Sequence, residues 1–135
     1  MKICVSATAD SVDAQADPRF GRCPYLIIVD SETLQFEAVP NVASGAMGGA
    51  GIQAAQTIAS KGAKVLITGN VGPNAFQALA AAGIRVVVGA SGTVRQVVEK
   101  YKKGELEETS SATVSGHFGI GRGGGRGQGR RGWQT

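Results

Sequence analysis

The chain has 135 residues, enough for one domain with a real core, and a formal net charge of +4 from 14 Lys and Arg against 10 Asp and Glu. All ten acids lie at or before Glu108, whereas Arg122, Arg126, Arg130 and Arg131 lie after it, so residues 1–108 are formally neutral and the excess belongs to the tail. Met1-Lys2-Ile3-Cys4-Val5-Ser6 reaches polar, acidic sequence too soon for a signal peptide, no run nears the ~20 apolar residues of a membrane span, and Cys4 and Cys23 form neither a disulfide framework nor a CxxC zinc site; a cytoplasmic protein is expected.

Lys2 to Ala7, with β-branched Ile3 and Val5, predicts a first strand, and a polar loop from Thr8 to Arg22 follows. Tyr25 to Asp30 predicts a second, more apolar strand. Leu34 to Val39 alternates apolar and polar, the pattern of a hairpin strand with one wet face. A glycine-rich loop from Ser44 to Gly51 leads into a helix over 52–60, with Ile52, Ala55, Ile58 and Ala59 on one face and Gly62 as its C′ residue. A strand over 63–68, a helix over 73–82 closed by Gly83, a strand over 84–88 and a helix over 93–103 closed by Gly104 complete the pattern. Pro73 suits a first helical turn, Phe76, Leu79 and Ala80 are expected to face the sheet, and Val94, Val97, Val98 and Tyr101 form a core stripe. Alternation at this spacing means right-handed βαβ units and a parallel sheet. From Thr109 the composition turns to Ser, Thr, Gly and Arg, so the domain is expected over 1–108 and a disordered tail over 109–135.

Three turns carry the functional signal: Gly48-Gly49-Ala50-Gly51, Gly69-Asn70-Val71-Gly72-Pro73-Asn74 and Gly89-Ala90-Ser91-Gly92-Thr93. Each precedes a helix and so can present unpaired amides and a positive dipole end to an anion. Gly72 and Gly92 permit close backbone approach, Asn70 and Asn74 offer amide donors, and Ser91 or Thr93 can cap a helix or donate to a ligand. Arg19-Phe20-Gly21-Arg22 adds two charged forks around an aromatic ring. None of the turns is a P-loop or a strand-following GxGxxG. His117, the only His, falls in the tail, and Asp10, Asp13 and Asp17 share one loop that reads as solvated, so the residues describe a binding module without catalytic groups.

Pro18-Arg19-Phe20-Gly21-Arg22-Cys23-Pro24-Tyr25, Gly48 to Ala55, Gly69 to Phe76 and Gly89 to Val94 together resemble the dinitrogenase iron–molybdenum cofactor biosynthesis family, whose members include NifX, NafY, the C-terminal domain of NifB and the stand-alone orange protein. The resemblance covers Met1 to about Glu108. It implies an α/β fold with a ribonuclease H-like motif: a five-stranded mixed sheet ordered 3-2-1-4-5, the second strand antiparallel, with helices on both faces. It also implies non-catalytic binding, carriage or assembly of a metal–sulfur cluster containing Mo with Fe or Cu. Donor and acceptor proteins of cluster assembly are the expected partners, a P-loop ATPase of the MinD/Mrp type being one candidate; no membrane is expected, and nucleic acid is the less expected partner. The family's nitrogenase-linked members often show His-Phe-Gly where this chain has Arg19-Phe20-Gly21; Arg cannot readily ligate a metal but can neutralise a polyanionic cluster. Cys23 and, from the tail, His117 are the candidate metal ligands. An RNA-binding or regulatory module using the Gly/Arg-rich tail is the alternative reading.

Overall fold

The computed structural model describes residues 1–45 and 49–109. Five strands form one mixed sheet in the order β3-β2-β1-β4-β5: β1 (Lys2–Ala7), β2 (Tyr25–Asp30), β3 (Phe36–Pro40), β4 (Val65–Ile67) and β5 (Arg85–Val87). β1, β4 and β5 are parallel, with Ile3 opposite Val65 and Val65 opposite Arg85, while β2 runs antiparallel to both of its neighbours. The expected order and the antiparallel second strand are both present.

Period-two alternation in buried strands supplies both faces of the sheet. Cys4, Leu26, Ile28, Leu66 and Val86 point to one side, where α1 (Ala50–Ser60) and α2 (Pro73–Ala81) pack. Ile3, Val5, Ile27, Val65, Ile67 and Val87 point to the other, covered by α3 (Val94–Lys102) through Val94, Val97 and Val98. A crossover helix between parallel strands must begin near the carboxyl end of the strand it leaves, and α1 returns to the amino end of β4, so all three helix N-termini gather at one end of the sheet.

Local differences from the sequence reading have local causes. β3 begins at Phe36 because Leu34 sits in the left-handed region at φ 64°, inside the turn that joins it to β2. Its faces are largely exposed, as befits an edge strand. α1 starts two residues early, at Ala50, and buries Ala50, Ala54, Ala55 and Ile58, leaving Ile52 exposed. In α2 it is Ala75 and Leu79 that are buried; Phe76 is half-buried and Ala80 faces solvent. β4 and β5 are shorter than expected because Ala63 and Ile84 give their amides back to the helix ends, at Ile58 O (3.1 Å) and Leu79 O (2.9 Å). Those bonds, with Gly62 N–H to Ala59 O and Gly83 N–H to Ala80 O, close both helices at the predicted glycines. A four-residue 3₁₀ turn, Val42–Gly45, leads into the glycine-rich loop.

Candidate functional site

The loop after β1 crosses the carboxyl end of the sheet as a strap. Its first part pairs with the start of α3: Ala16 N–H donates to Gly92 O (2.8 Å), Val94 N–H to Ala14 O (2.9 Å) and Arg95 N–H to Val12 O (2.8 Å). Its middle pairs with the turn after β4, Asn70 N–H donating to Pro18 O (2.9 Å) and Arg19 bridging Asn70 in parallel. Its end passes over the start of α1, where Gly21, at φ 97°, lies so close that a Cβ there would stand 3.0 Å from Gly51 Cα.

This crossing treats the three helix N-termini unequally. At α3 the first three amides are taken: Val94 and Arg95 by strap carbonyls and Gln96 by Thr93 Oγ1 (3.1 Å), while Gln96 Oε1 accepts from Thr93 N–H (2.9 Å) in a capping box. Ser91, Gly92 and Thr93, expected among the anion-binding residues, therefore belong to a closed helix end. α1 and α2 are different. Their N-cap residues, Gly49 and Gly72, provide no side-chain cap, and no described residue accepts from the amides of Ala50, Gly51, Ile52, Asn74 or Ala75. The two ends touch, since a Cβ on Gly51 would stand 2.7 Å from Ala75 Cβ. The structure thus brings Ala50 and Gly51 of α1 against Ala75 of α2 and beneath Gly21 of the strap, with Arg19 alongside Asn70 in the turn before α2. Gly48 and His117 lie outside the described residues.

The strap is anchored by a buried polar cluster that the sequence reading treated as solvent-exposed or passed over. Asp17 is 2% exposed; its N–H donates to Ser6 O (2.8 Å), its carbonyl accepts from Ser6 Oγ (2.6 Å), and Ser6 Oγ shares a hydrogen bond with Thr68 Oγ1 (2.8 Å). The Asp17 carboxylate accepts from the backbone N–H (2.9 Å), Nε (3.0 Å) and Nη2 (2.9 Å) of Arg19. Burial raises the Asp17 pKa, but the side-chain and backbone hydrogen bonds from Arg19 and its charge outweigh this and hold the carboxyl below its ordinary value. Arg19 is consequently paired, not an isolated cation. Asn41, 5% exposed, ties β3 to the strap's end by donating from Nδ2 to Gly21 O (3.1 Å) and Cys23 O (2.9 Å). Thr93-x-x-Gln96 is a capping-box spacing that a local reading could have used; Asp17 and Asn41 carry no local signal of their burial.

Neither thiol is presented as a ligand. Cys23 is fully buried, and burial, then the nearby Asp17 charge, pushes it up to about 11 against weaker opposing hydrogen bonds; burial pushes Cys4 well above its ordinary value too. Among the described residues no group of three or more His, Cys, Asp or Glu is placed to hold a metal ion. The donor set suits an anion better than a bare cation.

The profile of the dinitrogenase iron-molybdenum cofactor family matches residues 1–104. The chain belongs to that family. Among solved structures the family fold recurs in the apo form of the orange protein from Desulfovibrio gigas, 44% identical, with TM-score 0.81 over 83% of this chain and 95% of that one. A Thermotoga protein assigned to NifB, solved by NMR, is 35% identical with TM-score 0.73 over 83% of this chain and 96% of that one. An uncharacterized protein of Methanocaldococcus jannaschii is 31% identical over 94 residues, 67% of this chain and 80% of its own length. Membership of the dinitrogenase cofactor family ties the chain to iron–molybdenum cofactor biosynthesis or binding. No helix among the described residues is long and apolar enough to cross a membrane.

Proposed function

We propose that the protein binds and carries an anionic metal–sulfur cluster, of the molybdenum–iron or molybdenum–copper sulfide type, or its precursor, and passes it on without turning over a substrate. One observation carries this reading: two helix N-termini that have no side-chain cap, and whose first free amides meet no acceptor among the described residues, come together at Gly51 and Ala75 by the strap that bears Arg19 and Arg22, while the third N-terminus is closed by the strap itself. Dipole ends at up to about 2 kcal/mol each and charge-assisted amide bonds at about 1.5–3 kcal/mol each give a gross attraction above the roughly 8 kcal/mol of micromolar binding, which leaves a margin for desolvation. The cargo brings its own sulfide, so the protein needs no thiolate. Holding by hydrogen bonds also lets the cluster leave for an acceptor without breaking a metal–protein bond. Donor and acceptor proteins of cluster assembly, with a P-loop ATPase of the MinD/Mrp type as one candidate, follow from this role.

The test is anaerobic reconstitution with tetrathiomolybdate and either Cu(I) or Fe(II), followed by desalting, metal analysis and an absorption spectrum. The unaltered protein is expected to retain molybdenum and a sulfide-to-metal charge-transfer band. Gly72 has extended backbone geometry at the N-cap of α2 (φ −82°, ψ 171°), so Gly72→Asp is expected to cap that helix internally. Loading should fall while stability holds or rises by a few tenths of a kcal/mol. A colourless, metal-free protein under conditions that load a known carrier would overturn the reading.

A further inference from the structure

We propose that Asp17 sets the charge of the strap over the paired α1 and α2 N-termini and thereby the selectivity of that site among anions. The inference rests on the carrier reading and deepens it by naming what decides which anions the site prefers. A carboxylate that is 2% exposed and tied to Ser6 through its own N–H and C=O cannot swing away from its position. It holds the Arg19 guanidinium through Nε and Nη2, leaving the Nη1 hydrogens and the second Nη2 hydrogen outside that fork. Arg19 is thus both fixed in place and neutralised. From Asp17 to Arg22 the strap carries one acid and two arginines, a formal +1 where +2 would stand without the acid.

The consequence separates two classes of anion. A compact oxyanion is drawn chiefly by net charge, which acts at range and is screened by salt. A large sulfide anion spreads its charge over polarisable atoms and gains more from short-range amide donors and from contact with half-buried Phe20. A buried carboxylate paired with Arg19 on the strap therefore penalises phosphate-like ligands more than thiometallates. Asp17→Asn preserves size and one acceptor oxygen while restoring the Arg19 charge.

Calorimetric titration of the full chain with inorganic phosphate and, separately, with tetrathiomolybdate decides the matter at about 50 and about 200 mM salt. Asp17→Asn is expected to raise phosphate affinity about tenfold at the lower salt, to lose most of that gain at the higher, and to shift thiomolybdate affinity less. Adding Arg19→Gln should abolish the gain. Phosphate binding no tighter in folded Asp17→Asn than in the unaltered protein, or a gain that survives the second substitution, overturns the proposal. Should Asp17→Asn fail to fold, Arg19→Gln alone leaves the carboxylate unopposed and is expected to weaken phosphate binding about tenfold; an unchanged affinity overturns the proposal equally. Failure of the unaltered protein to bind thiomolybdate would count against the carrier reading, while the phosphate comparison still judges Asp17.

Discussion

Asp17 and Arg19 are unequal partners, one 2% exposed and the other with a side chain 55% exposed, and this decides what each contributes to stability. Removing the arginine strands a buried carboxylate, so Arg19→Ala is expected to cost about 2 kcal/mol at pH 7, measured by urea denaturation. The folded-state pKa of Asp17 is depressed, so its stabilisation is full above the unfolded value of about 3.9 and is lost as pH falls through the lower folded value. The difference between the two proteins should therefore shrink below about pH 4. Cys4 and Cys23 make a second prediction at this scale: with both thiols buried and their pKa values raised, neither should react with a thiol reagent at pH 8 until denaturant is added. The sequence marked Arg19 and Arg22 as charged forks but not the partner of Arg19, because an acid in a polar loop looks the same whether water or a guanidinium meets it. Burial at Asp17 arises from β1 and the turn after β4, which lie far from it in the chain.

The three helices were legible from periodicity and from their closing glycines, and their N-termini looked alike: a glycine-bearing turn before each. They differ in what the fold places over them. Strap carbonyls from Val12 and Ala14 close α3, and no local pattern shows that a loop some 80 positions earlier will do so. The capping box of Thr93 and Gln96 adds to that closure, and its Thr-x-x-Gln spacing is the one local signal that could have set this end apart. Thr93→Ala is accordingly expected to lower stability by about 1 kcal/mol in thermal denaturation and to leave thiomolybdate affinity unchanged. Gly51→Ala should do the opposite kind of damage. A methyl there gains about 1 kcal/mol in helix propensity but meets Ala75 Cβ at 2.7 Å, and overpacking of about 1–3 kcal/mol against a neighbouring helix is the larger effect. Separation of α1 from α2 should show as a lower melting temperature together with weaker thiomolybdate binding.

At the scale of the whole molecule the two sheet edges are finished differently. β3 ends at Pro40 and pairs only with β2 among the described residues, whereas the outer side of β5 is met by the segment after α3: Glu108 bridges Val87, and Thr109 N–H donates to Val86 O (2.8 Å). That segment lies beyond the 104 residues that the family profile matches. Half-buried Leu106, the Thr109 hydrogen bond and the exposed Arg85–Glu108 pair together contribute about 2 kcal/mol. A chain ended after Gly104 should melt several degrees lower and scatter more light on heating than one ended after Thr109. Strand order and helix placement followed from alternation and the family resemblance; this edge cover did not, because Glu105-Leu106-Glu107-Glu108 has too little apolar pattern to announce a partner. The strap has a consequence for communication between the two faces of the sheet. One continuous run of backbone grips α3 at Val94 and Arg95 and roofs α1 at Gly51, so ordering its roof end by bound cargo should also steady its grip on the opposite face. On the carrier reading, amide hydrogen exchange at Val94 and Arg95 is expected to slow when the protein is loaded with thiomolybdate, so that loading at one face of the sheet would be registered at the other.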